Sequence, residues 1–425
     1  MTLRTRKILY FTFLLAFFII TPLLFLYAAG YKIGSNLSFE KTGILIIDTN
    51  PPNAEIYLNG KIQQKFLKKI FSQEESNLTT PIKIKGLLPG EYDIKLTLNN
   101  YWPWEKKLKI LPGQSTFIED VILFKIDLPL ILQNGNFDSF SLSPDNKYLI
   151  GNNPEMISRT KLSDDSNSSY LSTSTNALLT DTISWSPDGQ KFIANNHLFN
   201  LNEWGEPISL EKIIGKNIHD LKWNPSEDNK IYYSSNGSAY VFDLAKDISK
   251  RLIDEMAFTD FLPKDNFLYF VTKKENEVSL NAVDLDSQKQ TGKTNLPSSD
   301  YVFINQNNRF LNLYDTLHNI LYIIDPKSAV KPLKETINNI KIAKWVDENR
   351  LIHANDFEIW LLDINTFNRT LITRVSHQIK DIFWHPNNNY IIYTTDKQIN
   401  IIELDNRDKY NITKIIELDS IKSPY

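Results

Sequence analysis

The hydrophobic rhythm of this chain changes twice along its length. From Ile8 to Gly30 it reads ILYFTFLLAFFIITPLLFLYAAG, with no ionisable side chain except two tyrosines. About 20 apolar residues at 1.5 Å rise span a hydrocarbon core of about 30 Å, so the run predicts a transmembrane helix over 8–30. Pro22 is compatible with this, because a spanning helix finds other partners for the carbonyl a proline frees. Tyr10 and Tyr27 stand where interfacial aromatics anchor such helices. Beyond Gly43 the period shifts to two. Ile82, Ile84 and Leu87 are set against Lys83 and Lys85, and Tyr92, Ile94, Leu96 and Leu98 against Asp93, Lys95 and Thr97, the pattern of half-buried strands.

Turn chemistry cuts this second region into strands. GILIIDT ends at Asn50-Pro51-Pro52-Asn53, where the prolines cannot donate to a ladder, and AEIYL ends at Asn59-Gly60, a pair that favours the type I′ hairpin turn. IKIKGL, YDIKLTL, EKKLKIL and STFIEDVIL follow, separated by Leu88-Pro89-Gly90-Glu91, the aromatic corner Tyr101-Trp102-Pro103-Trp104, and Pro112-Gly113. Through ILIIDTNPPNAEIYLNGK, TPIKIKGLLPGEYDIKLTL and NNYWPWEKKLKILPG, residues 43–124 resemble a PEGA domain, a small all-β module of bacterial and archaeal surface proteins. Pro89, Gly90 and Glu91 occupy its eponymous turn in the order Pro-Gly-Glu, so the literal motif is partly present. The insertion Ile62 to Asn77, containing KFLKKIF, departs from the family; it reads as a solvated excursion, with a short amphipathic helix or an extended arm as the alternatives. Tyr101, Trp102 and Trp104 read first as core packing, which a small sandwich needs, and second as candidates for stacking on a sugar ring.

From Lys125 onward a longer period appears. A strand, a turn and a second apolar run recur as SFSLSPDNKYLI, TISWSPDGQKFI, DLKWNPSEDNKIYY, FTDFLPKDNFLYFV, VFINQNNRFLNL, IAKWVDENRLIHA and DIFWHPNNNYIIYT. The aligned anchors are Leu142, Trp185, Trp223, Phe261, Ile304, Trp345 and Trp384, spaced by 43, 38, 38, 43, 41 and 39 residues. That spacing matches the period of about 40–45 residues of a four-stranded propeller blade and predicts seven blades over 125–425. Ser186-Pro187-Asp188-Gly189 explains the turn locally: proline presets φ, aspartate bonds back to amides, and glycine tolerates positive φ. A large apolar anchor before the turn is expected to fill space between neighbouring blades. Through W-S-P-D-G at Trp185 to Gly189, this half is similar to TolB-type, WD-like repeat propellers. The GH and WD dipeptides of eukaryotic WD repeats are absent, and the fold hosts many functions.

The expected fold is therefore all-β: a transmembrane helix, a PEGA-like sandwich over 43–124 and a propeller over 125–425. Charge orients it. Arg4, Arg6 and Lys7 precede the span and Lys32 follows it, which keeps residues 1–7 cytoplasmic and places the bulk outside the cytoplasm. A cleaved signal peptide is the alternative, but the run exceeds the usual apolar length of about 7–15 residues, and Ala28-Ala29-Gly30 is a mediocre cleavage site. There are no cysteines, which excludes disulfides, thiol catalysis, cysteine-based zinc sites and lipoprotein processing. Beyond Lys32 the chain carries 43 basic against 50 acidic residues, a balance that argues against nucleic acid as a partner.

No catalytic motif is present. Gly-x-Ser-x-Gly, His-Glu-x-x-His, phosphate-loop and dinucleotide patterns are absent, and the six histidines lack ligand spacing. Asp145, Asp188, Asp243, Asp284, Asp325 and Asp363 recur at turns, where a structural role suffices, and neither Asp284/Asp286 nor Asp164/Asp165 has full calcium-ligand spacing. The sequence thus predicts a single-pass, non-enzymatic binding or scaffolding protein of the cell envelope. Its partners would be the lipid bilayer through residues 8–30 and an envelope protein or polysaccharide, with no cofactor and no metal. The alternative is a carbohydrate-active enzyme with a carboxylate pair at the propeller's channel mouth; a third reading is a structural spacer.

Overall fold

The computed structural model describes residues 3–34, 38–64, 77–127, 137, 139–153, 156–162, 168–172, 183–194, 196–215, 217–254, 258–275, 277–304, 309–328 and 330–421. The KFLKKIF stretch of the insertion and the pair Asp164/Asp165 lie outside them. The chain divides into two compact units. One comprises residues 1–128 with 384–393 and 398–418, and the other the remaining residues.

The first unit begins with helix α1 (Leu3–Ala28), which passes through Pro22 and has no buried residue. It starts ahead of Ile8 because Arg4, Arg6 and Lys7 are good helix formers that extend the apolar run. It stops where Gly30 turns at φ +85°, a conformation that disfavours side chains. A short hairpin of β1 (Tyr31–Ile33) and β2 (Phe39–Lys41) leads directly into β3 (Gly43–Asn50).

Two sheets then form the sandwich. In the first, β3 lies between β6 (Ile82–Leu87), antiparallel, and β9 (Ser115–Ile122), parallel. The second runs β5-β4-β7-β8, all antiparallel, with β4 (Glu55–Leu58), β5 (Lys61–Ile62), β7 (Gly90–Thr97) and β8 (Trp104–Ile110). Alternate residues of β3 and β8 are buried, so the period of two in the sequence becomes the inner faces of the two sheets. Leu45, Ile47, Ile56, Ile94, Leu96 and Ile110 are fully buried at its centre. Asn59 and Gly60 both have positive φ, 48° and 74°, as a type I′ turn between β4 and β5 requires.

Seven four-stranded sheets follow in chain order, each with its strands in sequence order, and together they make an all-β propeller. Their first strands are Ser139–Leu142, Ser184–Trp185, His219–Trp223, Phe258–Lys264, Tyr301–Phe303, Ile342–Trp345 and Asp381–Trp384. Within the second unit, blades 2 to 5 approach their neighbours through these first strands. Sheets arranged radially are closest at the axis, so the first strands of blades 2 to 5 face it.

Six of the seven predicted anchors lie in those first strands, and Ile304 directly follows one. Trp223 packs with Ile193 and Leu198 of the preceding blade, and Phe261 with Tyr232 and Ala239. Trp345 stacks on Phe310 of blade 5, with ring centroids 5.8 Å apart and planes at 14°. The indole of Trp185 donates to Ser141 Oγ at 2.8 Å and that of Trp223 to Ser184 O at 2.9 Å, so each also ties its blade to the previous one. Leu142 departs from the expected packing role: it is 40% exposed.

The turns after Trp185 and Leu142 hold themselves together. Ser186 Oγ donates to Asp188 Oδ1 at 2.6 Å and accepts from Lys191 N at 2.9 Å, while Gly189 sits at φ +67°. The same geometry recurs at Ser143 and Asp145.

Candidate functional site

The aromatic corner between β7 and β8 places the sequence's three stacking candidates in different environments. Tyr101 packs against the sandwich core. Trp104, the first residue of β8, is 6% exposed, and its Nε1 donates to both carboxylate oxygens of Glu403 at 3.1 Å. Trp102 is partly buried, and its Nε1 is shielded from solvent with no acceptor among the described residues. It borders a cavity of about 180 Å³ together with Phe124, Tyr390, Glu403 and Asn411.

Glu403 organises this corner. Besides Trp104 it accepts from Asn411 Nδ2 at 2.9 Å and lies 3.0 Å from Lys106 Nζ. The Lys106 side chain is fully buried, and its ammonium also meets Asp405 through the backbone oxygen at 2.5 Å and the carboxylate at 3.4 Å. Burial pushes the Asp405 carboxyl up, but hydrogen bonds from Arg407 and the charge of Lys106 outweigh it and hold the group below the usual carboxylate range. Tyr390 completes the wall: its hydroxyl accepts from Ile122 N at 2.9 Å and its ring meets Phe124 edge-on at 5.4 Å. Burial, first of all, drives its phenol well above the ordinary value.

Chemically, Trp104 and Glu403 are committed to one another and to Lys106, whereas Trp102 lines the cavity with its indole N–H shielded from solvent. What the cavity offers a ligand is therefore aromatic surface, from Trp102, Phe124 and Tyr390. The β8 sequence carries one further signal. In W-E-K-K-L-K-I every second residue from Trp104 points inward, and Lys106 is a cation in one of those slots.

Pro89 lies in the link from β6 to β7, and Gly90, at φ +153°, and Glu91 open β7. Tyr92 OH braces it by donating to Leu88 O at 2.9 Å.

The recurrent aspartates act on their own turns. Asp243, Asp284 and Asp363 each accept a backbone N–H two or three residues on, at 2.7 to 3.0 Å, and Asp325 does so from Lys327 N at 3.1 Å. Hydrogen bonds from Ser143 and Lys147 bring the Asp145 carboxyl down to about 2. Asp286 accepts from Asn266 Nδ2 at 2.8 Å, and Asp284 is taken up by Ser287.

On the first strands, carboxylates meet lysines from the neighbouring blade: Asp260 with Lys222 at 2.5 Å, and Asp381 with Lys344 at 2.7 Å. Among the described residues no group of three or more His, Asp or Glu side chains is arranged to hold a metal ion.

No family model matches this sequence, and no curated protein matches it. Solved structures similar to it include the Myceliophteria thermophila Cps50 (Swd1) β-propeller domain, 12% identical over 62% of this chain and 95% of that one, TM-score 0.45. Others are the C-terminal WD40 domain of Sif2, at 15% identity over 65% and 85% with TM-score 0.46, and Kluyveromyces lactis Hsv2p, at 10% over 66% and 97% with TM-score 0.45.

Proposed function

We propose that this chain is a single-pass, membrane-anchored binding or scaffolding protein of the cell envelope, with a PEGA-like sandwich over 43–124 and the propeller over 125–425 held outside the cytoplasm. The observation that carries the reading is α1. Its length of 26 residues suffices for a bilayer, none of its side chains is buried, and Phe11, Phe13, Phe17, Phe18 and Phe25 are all more than half exposed. An apolar surface of that extent is stable in lipid and unstable in water. The basic cluster Arg4, Arg6 and Lys7 at its start favours a cytoplasmic N-terminus.

In this reading the propeller is a rigid display surface, and the cavity beside Trp102 takes a hydroxyl-bearing segment of an envelope polysaccharide. The lining supports that choice, since Trp102, Phe124 and Tyr390 offer aromatic faces for a sugar's C–H face and Asn411 offers a polar side chain.

Alkaline extraction of membranes and protease treatment of intact cells test the anchor and topology together. The protein should stay in the pellet, and its bulk should be digested without lysis. Release by alkali, or protection of the bulk until lysis, would overturn the reading. Binding is tested by quenching of tryptophan fluorescence with solubilised envelope glycans, which should be lost in Trp102→Ala and kept in Trp360→Phe.

A further inference from the structure

The end of α1 is fastened to the sandwich without slack. Gly30 O accepts from both Thr42 N at 2.8 Å and Thr42 Oγ1 at 2.7 Å, and Thr42 O accepts from Gly113 N at 3.1 Å in the turn before β9. The next residue, Gly43, already begins β3. A chain leaving a bilayer this way has no tether, so the adjoining corner of the sandwich must lie in the headgroup layer, which adds only about 5–7 Å to each side of the hydrocarbon core.

That corner contains a cavity of about 500 Å³ lined by Tyr27 and Tyr31 and by three lysines, Lys32, Lys41 and Lys85. Two of the lysines are laid across glycines. A Cβ on Gly86 would come within 3.0 Å of Lys32 Nζ, and one on Gly113 within 3.0 Å of Lys41 Cδ and 3.2 Å of its Nζ. Glycine at both positions therefore leaves room for the ammonium groups at the rim. None of the three lysines forms an ion pair with a carboxylate among the described residues. The nearest acid on the hairpin, Glu40, is paired across from Lys32 but takes a hydrogen bond from Ser38 Oγ and lies against Gly34. Ile33 and Phe39, paired across the same hairpin, are 56% and 48% exposed.

Three unneutralised cations converge here in a chain whose portion beyond Lys32 is net acidic. At this depth the counter-charge available is lipid phosphate, and exposed Ile33 and Phe39 suit the acyl boundary beside it. We infer that the cavity at the end of α1 binds the phosphate of an anionic phospholipid headgroup through Lys32, Lys41 and Lys85, seating the sandwich on the membrane. The inference rests on the membrane-anchored reading.

The test uses the full chain in nanodiscs of phosphatidylcholine mixed with phosphatidylglycerol, with native mass spectrometry of the lipids that remain bound. Phosphatidylglycerol should be enriched over its share of the disc, and Lys32→Gln, Lys41→Gln and Lys85→Gln should each lower the enrichment about fivefold. Arginine at the same three positions should preserve it, which separates loss of charge from loss of fold. Inorganic phosphate added to the detergent-solubilised chain should not displace the lipid; displacement would assign the site to a soluble anion. A wild-type chain that inserts but retains lipids in the bulk ratio overturns the inference and leaves the anchor intact. A chain that fails to insert overturns both.

Discussion

Replacing Lys106 by methionine should destabilise the unit that contains the sandwich far more than its position on a surface module would suggest. The side chain is fully buried, with its ammonium 3.0 Å from Glu403 and 3.4 Å from Asp405. Methionine keeps the length but removes the charge, leaving two carboxylates close together in a dry setting with only neutral donors and Arg407 to offset them. Breaking a buried ion pair from one side costs about 3–5 kcal/mol, because the remaining charge stays desolvated. Glu403→Gln should cost less, about 1–3 kcal/mol. Glutamine still offers Trp104 an acceptor, and Lys106 keeps both of its contacts to Asp405. Denaturant unfolding of the detergent-solubilised chain, followed by hydrogen exchange in peptides covering 101–110 and 398–405, measures both costs. The double variant should be more stable than the sum of the single losses by over about 1 kcal/mol, since the two groups share one network. A change below about 0.5 kcal/mol for Lys106→Met, the range of ordinary surface substitutions, would refute the buried network.

Three further expectations follow from other parts of the molecule. His353 is 6% exposed with its Nε2 unpaired, and burial, helped by the charge of Arg369, pushes its pKa down to about 4. The unfolded chain binds that proton at a higher pH than the folded one, so stability should fall as pH drops from about 6.5 to about 4, by about 3 kcal/mol in all; His353→Phe should flatten this limb in pH-dependent denaturant titrations. Trp223→Ala removes a buried ring packed between blades 2 and 3 and its bond to Ser184 O, and should cost about 3–5 kcal/mol in the same unfolding assay, against under 1.5 kcal/mol for Trp384→Phe. Ile19→Arg places a charge mid-span in α1 and should add about 2.5–3.5 kcal/mol to insertion, read as a larger fraction released by alkaline extraction.

The parts of this molecule that were readable in advance are those whose physics is local. The helix α1 needs only a run of apolar residues, the Asn59-Gly60 hairpin needs only two residues with positive φ, and the blade turn at Ser186 closes through bonds to Asp188 and Lys191. The four-stranded sheets were readable for the same reason, since each repeats one strand-and-turn pattern at a period of about 40 residues. Leu142 shows the limit of that logic: its place in the repeat is right, yet it is 40% exposed, because repetition specifies a position and not the neighbours that cover it.

What sequence order concealed is contact between distant segments. Trp104 and Glu403 are 299 residues apart, so nothing near either one reports the other, and Trp104 could be weighed only as a core residue or a sugar platform. The lysine at an inward slot of β8 was the sole local sign that a buried acid had to exist somewhere. The same reasoning applies at the end of α1, where Lys32, Lys41 and Lys85 look like ordinary surface charge until the Gly30–Thr42 bonds fix their position relative to α1. In both places a charge that seems unremarkable along the chain acquires its role from where the fold forces it to sit. At Lys106 the fold supplies the counter-ion itself; at the end of α1 it supplies none among the described residues, which is why lipid phosphate is the counter-charge proposed there.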